Sequence, residues 1–158
     1  MPTTALTSVL IVAAVIVAAS LGAPDPEPSP DLSPAEVVRI QVEALGRADL
    51  GGAEPGEIAV AWRFASPANQ SATGPLDRFA EMVRGPVYAP LLDHERASYG
   101  PVMVEGDQAA QGVTLTLADG RRAAFVFVLR RQSGGAFDGC WMTEAVAPAE
   151  PDDDLTRV

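Results

Sequence analysis

Few side chains in this sequence could move a proton or hold an ion, and their scarcity narrows the chemistry open to the protein. The 158 residues contain one His, His94, and one Cys, Cys140. Asp93-His94-Glu95 is the sole cluster that sets an imidazole beside carboxylates, and a His oriented by a carboxylate works as a general base near neutral pH. Consecutive strand residues point to opposite faces, so adjacency alone does not bring these three together, and a surface His is the reading it favours. Glu144 follows Cys140 and Met142 on an otherwise apolar stretch. It is either a structural carboxylate with an Arg partner or a buried acid-base group. Arg63, between Trp62 and Phe64, offers a planar guanidinium to an anionic ligand or to a neighbouring carboxylate. Cys140 beside Trp141 reads as a small core hydrophobe, with no cation nearby in sequence to favour the thiolate. Asn69-Gln70-Ser71 matches a glycosylation sequon, a triplet frequent by chance, and carries no weight.

Composition removes whole classes of chemistry. One His and one Cys cannot assemble the ordinary zinc ligand sets within one subunit, and a single Cys excludes an internal disulfide, so no metal or other cofactor is expected. All 11 basic residues are Arg against 21 acids, a net charge of -10. That balance gives no cationic surface for polyphosphate, and nucleic acid is not an expected partner. The length supports one compact core of about 100 to 120 residues.

The elements that must position these residues change character near residue 93. Ser33-Pro34-Ala35-Glu36 is a helix start, with Ser at the cap, Pro at the first turn and Glu three residues on. Val38, Val42 and Leu45 then follow helical spacing as far as Gly51-Gly52. A second short helix is expected over Glu57 to Ala65, with Ile58, Ala61, Trp62 and Ala65 as its stripe. Residues 66–74, SPANQSATG, read as a loop by composition. Gly74-Pro75 opens a third helix carrying Leu76, Phe79, Ala80 and Val83, and a turn is expected at Tyr88 to Asp93. After His94 the pattern alternates. Val102 and Val104 precede a Gly106-Asp107 turn; Val113, Leu115 and Leu117 precede Asp119-Gly120, a strong hairpin signal. Ala123 to Leu129 is apolar on both faces, as in a strand covered on both sides, or by helices on one side and a second subunit on the other. Cys140 to Val146 closes a four-strand meander. The fold class expected is therefore α+β, with N-terminal helices packed across a four-stranded curved antiparallel sheet.

The ends read differently. Val9 to Ala19 is apolar throughout and is followed by small residues as far as Ala23, the pattern of a signal peptide. Met1 to Ser8 holds no Lys or Arg. Without cleavage, residues 5–23 would serve as an inner-membrane anchor, the sole membrane association expected. The organisation expected is a signal peptide or anchor over 1–23, a Pro-rich acidic linker over 24–33, one domain over 34–147 and a disordered acidic tail over 148–158. This organisation implies a periplasmic or secreted location.

Several words in the chain, Trp62-Arg63-Phe64-Ala65-Ser66-Pro67, Thr73-Gly74-Pro75-Leu76 with Phe79, Tyr88 before Leu91-Leu92, and Gly139-Cys140-Trp141-Met142-Thr143-Glu144, resemble an uncharacterised bacterial family known as domain of unknown function 4864. The resemblance spans about residues 34 to 147 and brings no established activity with it. By order of elements it implies a cone similar to nuclear transport factor 2-like folds, a class that includes isomerases, cyclases, dehydratases and many binding or dimerisation modules. In such a cone Trp62, Phe64, Phe79, Tyr88, Phe125, Phe127 and Trp141 would line a hollow, or simply fill a core. The functional expectation is an exported noncatalytic module that binds a small apolar or anionic ligand through Trp62, Arg63, Phe79, Tyr88 and Trp141, or that forms a homodimer. The alternative is a proton-transfer enzyme of isomerase, cyclase or dehydratase type, using Glu144 or His94.

Overall fold

The structure, a computed structural model, describes residues 23–52 and 55–151. Four helices, α1 (Pro34–Arg47), α2 (Glu57–Arg63), α3 (Pro67–Thr73) and α4 (Leu76–Arg84), precede four strands, β1 (His94–Glu105), β2 (Gln108–Leu117), β3 (Arg122–Arg131) and β4 (Trp141–Ala149). The strands pair antiparallel in sequence order, and the helices pack against one face of the sheet, the α+β layering that the change of period near residue 93 implies.

Local chemistry fixes the first helix. The Ser33 hydroxyl accepts the Glu36 N–H, and the Glu36 carboxylate accepts the Ser33 N–H at 2.7 Å, a reciprocal cap on two orphan donors. Those bonds from Ser33, the hydroxyl's foremost, hold the Glu36 carboxyl below the usual carboxylate range. Val37, Val38, Val42 and Leu45 of α1 are buried, and Gln41 is buried among them.

On the sheet, Val113, Leu115, Phe125, Phe127 and Leu129 face the helices and form the core with them. The β2–β3 turn needs Gly120 at φ 84, a left-handed conformation that a Cβ would strain. Strand β3 is covered by helices on one side alone. Phe125, Phe127 and Leu129 are buried, while Val128, on the opposite face, is 37% exposed.

The structure corrects several boundaries. Residues 67–73, expected as loop, are α3: the Ser66 hydroxyl caps it by accepting the Asn69 N–H, and Pro67 starts it. It buries none of its residues, so no apolar period betrays it. Helix α2 stops at Arg63, because residues 64–66 turn to pair with β4 through Thr143 N–H to the Phe64 carbonyl and Ser66 N–H to the Thr143 carbonyl. Strand β1 begins at His94, its alternation broken by a register shift between Tyr99 and Val102. Strand β4 begins at Trp141 and runs to Ala149, where Pro148 sits opposite Phe125 and Ala149 opposite Ala124. Pairing with β3 thus carries ordered chain two residues into the segment expected as tail.

The remaining tail from 152 to 158 and the leader over 1–22 lie outside the described residues. No helix among the described residues is long and apolar enough to cross a membrane. The Pro-rich linker lies along the domain. Arg63 donates to the Pro26 carbonyl at 3.1 Å and pairs with Glu27 at 3.4 Å and Asp25 at 3.7 Å.

Candidate functional site

A cavity of about 210 Å³ opens between the four helices and the β3–β4 end of the sheet. Its walls are mostly apolar, with Leu45 from α1, Phe79 and Val83 from α4, and Phe127 and Val146 from the sheet. This is smaller than the roughly 300–1,000 Å³ of sites for drug-sized ligands, so it suits a molecule of a few heavy atoms around a compact apolar body.

Each wall is positioned by identifiable forces. Helix α4 buries Phe79, Ala80 and Val83 on one side and leaves Met82, 37% exposed, at the mouth. The Tyr88 hydroxyl donates to the Val146 carbonyl at 3.0 Å, and its ring stacks 6.0 Å from that of Phe125, which ties the turn after α4 to the sheet. Helix α3 is tied to Trp62 by two bonds. Trp62 Nε1 donates to the Gly74 carbonyl at 3.4 Å, and Gln70 Nε2 donates back to the Trp62 carbonyl at 2.9 Å.

Beneath the cavity lies a buried polar network around Thr143. Gln41 Nε2 donates to Thr143 Oγ1 at 2.7 Å and to the Val37 carbonyl at 3.1 Å, and Asn69 Nδ2 donates to the Thr143 carbonyl at 3.0 Å. Gln41, Ser66 and Thr143 are all buried. Bonds of this kind inside a low-dielectric core fix one arrangement of α1, α3 and β4, because leaving any partner unpaired would be costly.

Glu144 reaches the cavity through a defect in the sheet. Val128 pairs with Ala145 and Leu129 with Thr143, so Glu144 is the extra residue of a bulge. Bulges re-aim side chains; Glu144 is among the residues that line the cavity, and its carboxylate turns toward Arg130 and Gln132. Its protein partners are distant: Gln132 Nε2 at 3.5 Å and Arg130 Nε at 3.9 Å, with Arg130 closer to Asp107 at 3.3 Å.

The structure therefore gathers Phe79, Tyr88, Phe127 and Glu144 around one cavity and leaves the other residues singled out from the sequence elsewhere. Trp62 braces α3 from behind, Arg63 holds the linker, and Trp141 packs at the edge of the core opposite Arg131. Phe64 and Phe125 are buried in the core. His94 sits against α1, its Nδ1 donating to the Leu91 carbonyl at 2.9 Å, and a Cβ on Gly46 would come within 2.7 Å of its ring. It does not line the cavity with Glu144. Burial, with Asp138 adding to it, pushes the Cys140 thiol up, so it stays protonated at neutral pH.

Gln41, Asn69, Thr73 and Thr143 are not among the site residues expected from the sequence. Gln41 is detectable in principle, since it is a polar residue set within the apolar stripe of α1. Asn69 and Thr73 are hidden when α3 is read as loop.

Residues 33–152 match the model of a family described as Domain of unknown function (DUF4864). No curated protein and no solved structure matches the chain.

Proposed function

The chain belongs to that family of unknown function, and with no activity to carry over from it we propose that the protein is an exported, noncatalytic module that binds a small, mainly apolar ligand in the cavity between the helices and the sheet. The observation that supports this reading is the convergence of three of the four family words on one hollow. Thr73, Phe79, Tyr88, Leu91 and Glu144, drawn from words far apart in sequence, all line it. A structural role alone would not require an opening at that point of convergence.

The apolar walls favour a hydrocarbon body. An anion is the poorer fit, because the cavity's charged lining residue is Glu144, whereas Arg63 is engaged by the linker. The enzyme alternative has Glu144 in the cavity without His94 beside it. Export rests on the apolar run Val9 to Ala19, and the order of helices followed by a four-strand meander supports grouping the fold with nuclear transport factor 2-like cones. A bacterial source and a periplasmic or secreted location belong to the same reading.

Cyclohexanol is a suitable neutral probe. Titrated into the purified protein, it is expected to shift the ring resonances of Phe79 and Phe127, and Met82→Trp, which places an indole over the mouth, is expected to abolish those shifts. Shifts that are absent in the parent, or unchanged in Met82→Trp, would remove the cavity from consideration.

A second reading, homodimerisation, rests on a different surface. On the sheet face away from the helices, Met103 is 73% exposed and shares a row with Ala110, Val128 and Ala145, and small residues such as Gly112 and Ala147 keep the next row flat. Four strands of about ten residues offer roughly 600 Å² per copy, and two copies about 1,200 Å², the lower edge of stable interfaces. Sedimentation is expected to show a dimer that Val128→Arg converts to monomer. A parent protein that sediments as a monomer at tens of micromolar would end this reading and leave the cavity untouched.

A further inference from the structure

The sheet face away from the helices is apolar only in its middle, and its two ends carry charge of opposite sign. Register sets Arg96, Thr116 and Arg122 side by side at the end near the β2–β3 turn, and Glu105, Gln108 and Arg130 at the end near the β1–β2 turn. Arg130 pairs with Asp107 at 3.3 Å and lies 3.9 Å from Glu144, so the carboxylates of Glu105, Asp107 and Glu144 outnumber it and this end is acidic. At the other end Asp119 and Arg121 neutralise each other, and Arg96 and Arg122 outnumber Glu95, the extra residue of the register shift between His94 and Arg96. Arg96 and Glu105 are both exposed, and neither belongs to an ion pair among the described residues.

The acidic end also has a shape that suits an arginine. A shallow groove there is lined by Glu105 and mostly by apolar side chains, Met103, Ala110 and Val128 among them. An arginine lays its methylene stem on such walls and brings its guanidinium to the carboxylate.

Two copies packed face to face about a twofold axis with their strands aligned have two arrangements open to them. With the axis along the strands, each end meets its own kind, and Arg96 and Arg122 of both copies gather together. With the axis across the strands, each strand lies antiparallel over its own copy and each basic end meets an acidic one. The flat middle packs either way, so charge decides, because like charges brought together across an interface oppose the first arrangement. The second also sets Met103 and Val128 over Ser98 and Ala124 of the other copy, a larger side chain against a smaller one each time.

We propose that the protein forms a twofold dimer through this face with strands antiparallel across the interface, closed by two reciprocal pairs in which Arg96 of one copy enters the groove beside Glu105 of the other. This rests on the homodimer reading given above and names its arrangement.

Sedimentation of the purified protein and of Arg96→Glu, Glu105→Arg and the double variant tests it. Each single variant places two like-charged contacts in the dimer and is expected to weaken it about ten- to a hundredfold. The double variant keeps the parent's net charge with both pairs reversed, and should dimerise within about threefold of the parent. An equimolar mixture of the two single variants should form dimers that neither forms alone, since both pairs in the mixed dimer are again opposite in sign. That recovery also reports that each variant is folded. If the parent dimerises and the single variants match it, or if the double variant or the mixture fails to recover, the arrangement is wrong while the homodimer reading stands. If the parent is a monomer at tens of micromolar, the homodimer reading falls and the arrangement with it.

Discussion

Phe127→Ala is expected to lower the stability of the domain by about 3–5 kcal/mol, a large share of the roughly 5–15 kcal/mol that holds a domain of this size together. Phe127 is 1% exposed and stands at the centre of β3, opposite Gln111 of β2 and Val146 of β4. Its ring is one wall of the cavity, so the truncation joins a new void to an existing one. An open, partly polar cavity can admit water, which places the cost toward the lower part of that range. Urea denaturation should show the midpoint falling with the slope unchanged, the mark of lost stability without a change in the surface exposed on unfolding. The neighbouring residue supplies the control. Val128 points to the other face and is 37% exposed, so Val128→Ala should cost less than about 1 kcal/mol in the monomer. A loss at Val128 as large as that at Phe127 would mean that the second face is covered too, and would argue for the dimer.

The contrast between those two neighbours also shows how far the sequence can be read. Alternation along β2 and the Asp119-Gly120 turn identify a hairpin because period and turn chemistry are local properties. The same holds for α1, whose cap, first-turn Pro and apolar stripe all agree. In β3 the local signal is ambiguous: Ala123 to Leu129 is apolar on both faces, and which face meets the helices depends on where helices lie in space. The cavity residues divide along the same line. Phe79 and Tyr88 are legible as aromatics near turns, and Glu144 as a charge on an apolar strand. That Glu144 reaches the cavity is a consequence of a bulge opposite Val128 and Leu129, which no periodicity announces. Helix α3 escapes a reading by pattern because it is short, polar and held by caps and side-chain bonds from Trp62, Ser66 and Gln70, so its stability is tertiary. Arg63 and His94 have chemistry that suits a site, yet pairing with Asp25 and Glu27 in one case, and packing against Gly46 in the other, is decided by distant segments.

The buried bond between Gln41 and Thr143 should behave in the opposite way to the core aromatics, with the double variant more stable than either single one. Thr143→Val leaves a Gln41 N–H facing a methyl group, and Gln41→Leu leaves the Thr143 hydroxyl without its partner from α1; each is expected to cost about 1–3 kcal/mol. Residues Gln41 and Thr143 are 3% and 1% exposed, so bulk water cannot easily replace the lost partner. Combining the two substitutions removes both polar groups and restores a matched apolar contact, and the coupling between them should be at least about 1 kcal/mol in favour of the double variant. Thermal unfolding of the four proteins in the cycle measures this directly. Additive losses would mean that the two side chains act independently and that the 2.7 Å contact contributes little. The same double variant also changes the cavity, because Gln41 is one of the residues that line it.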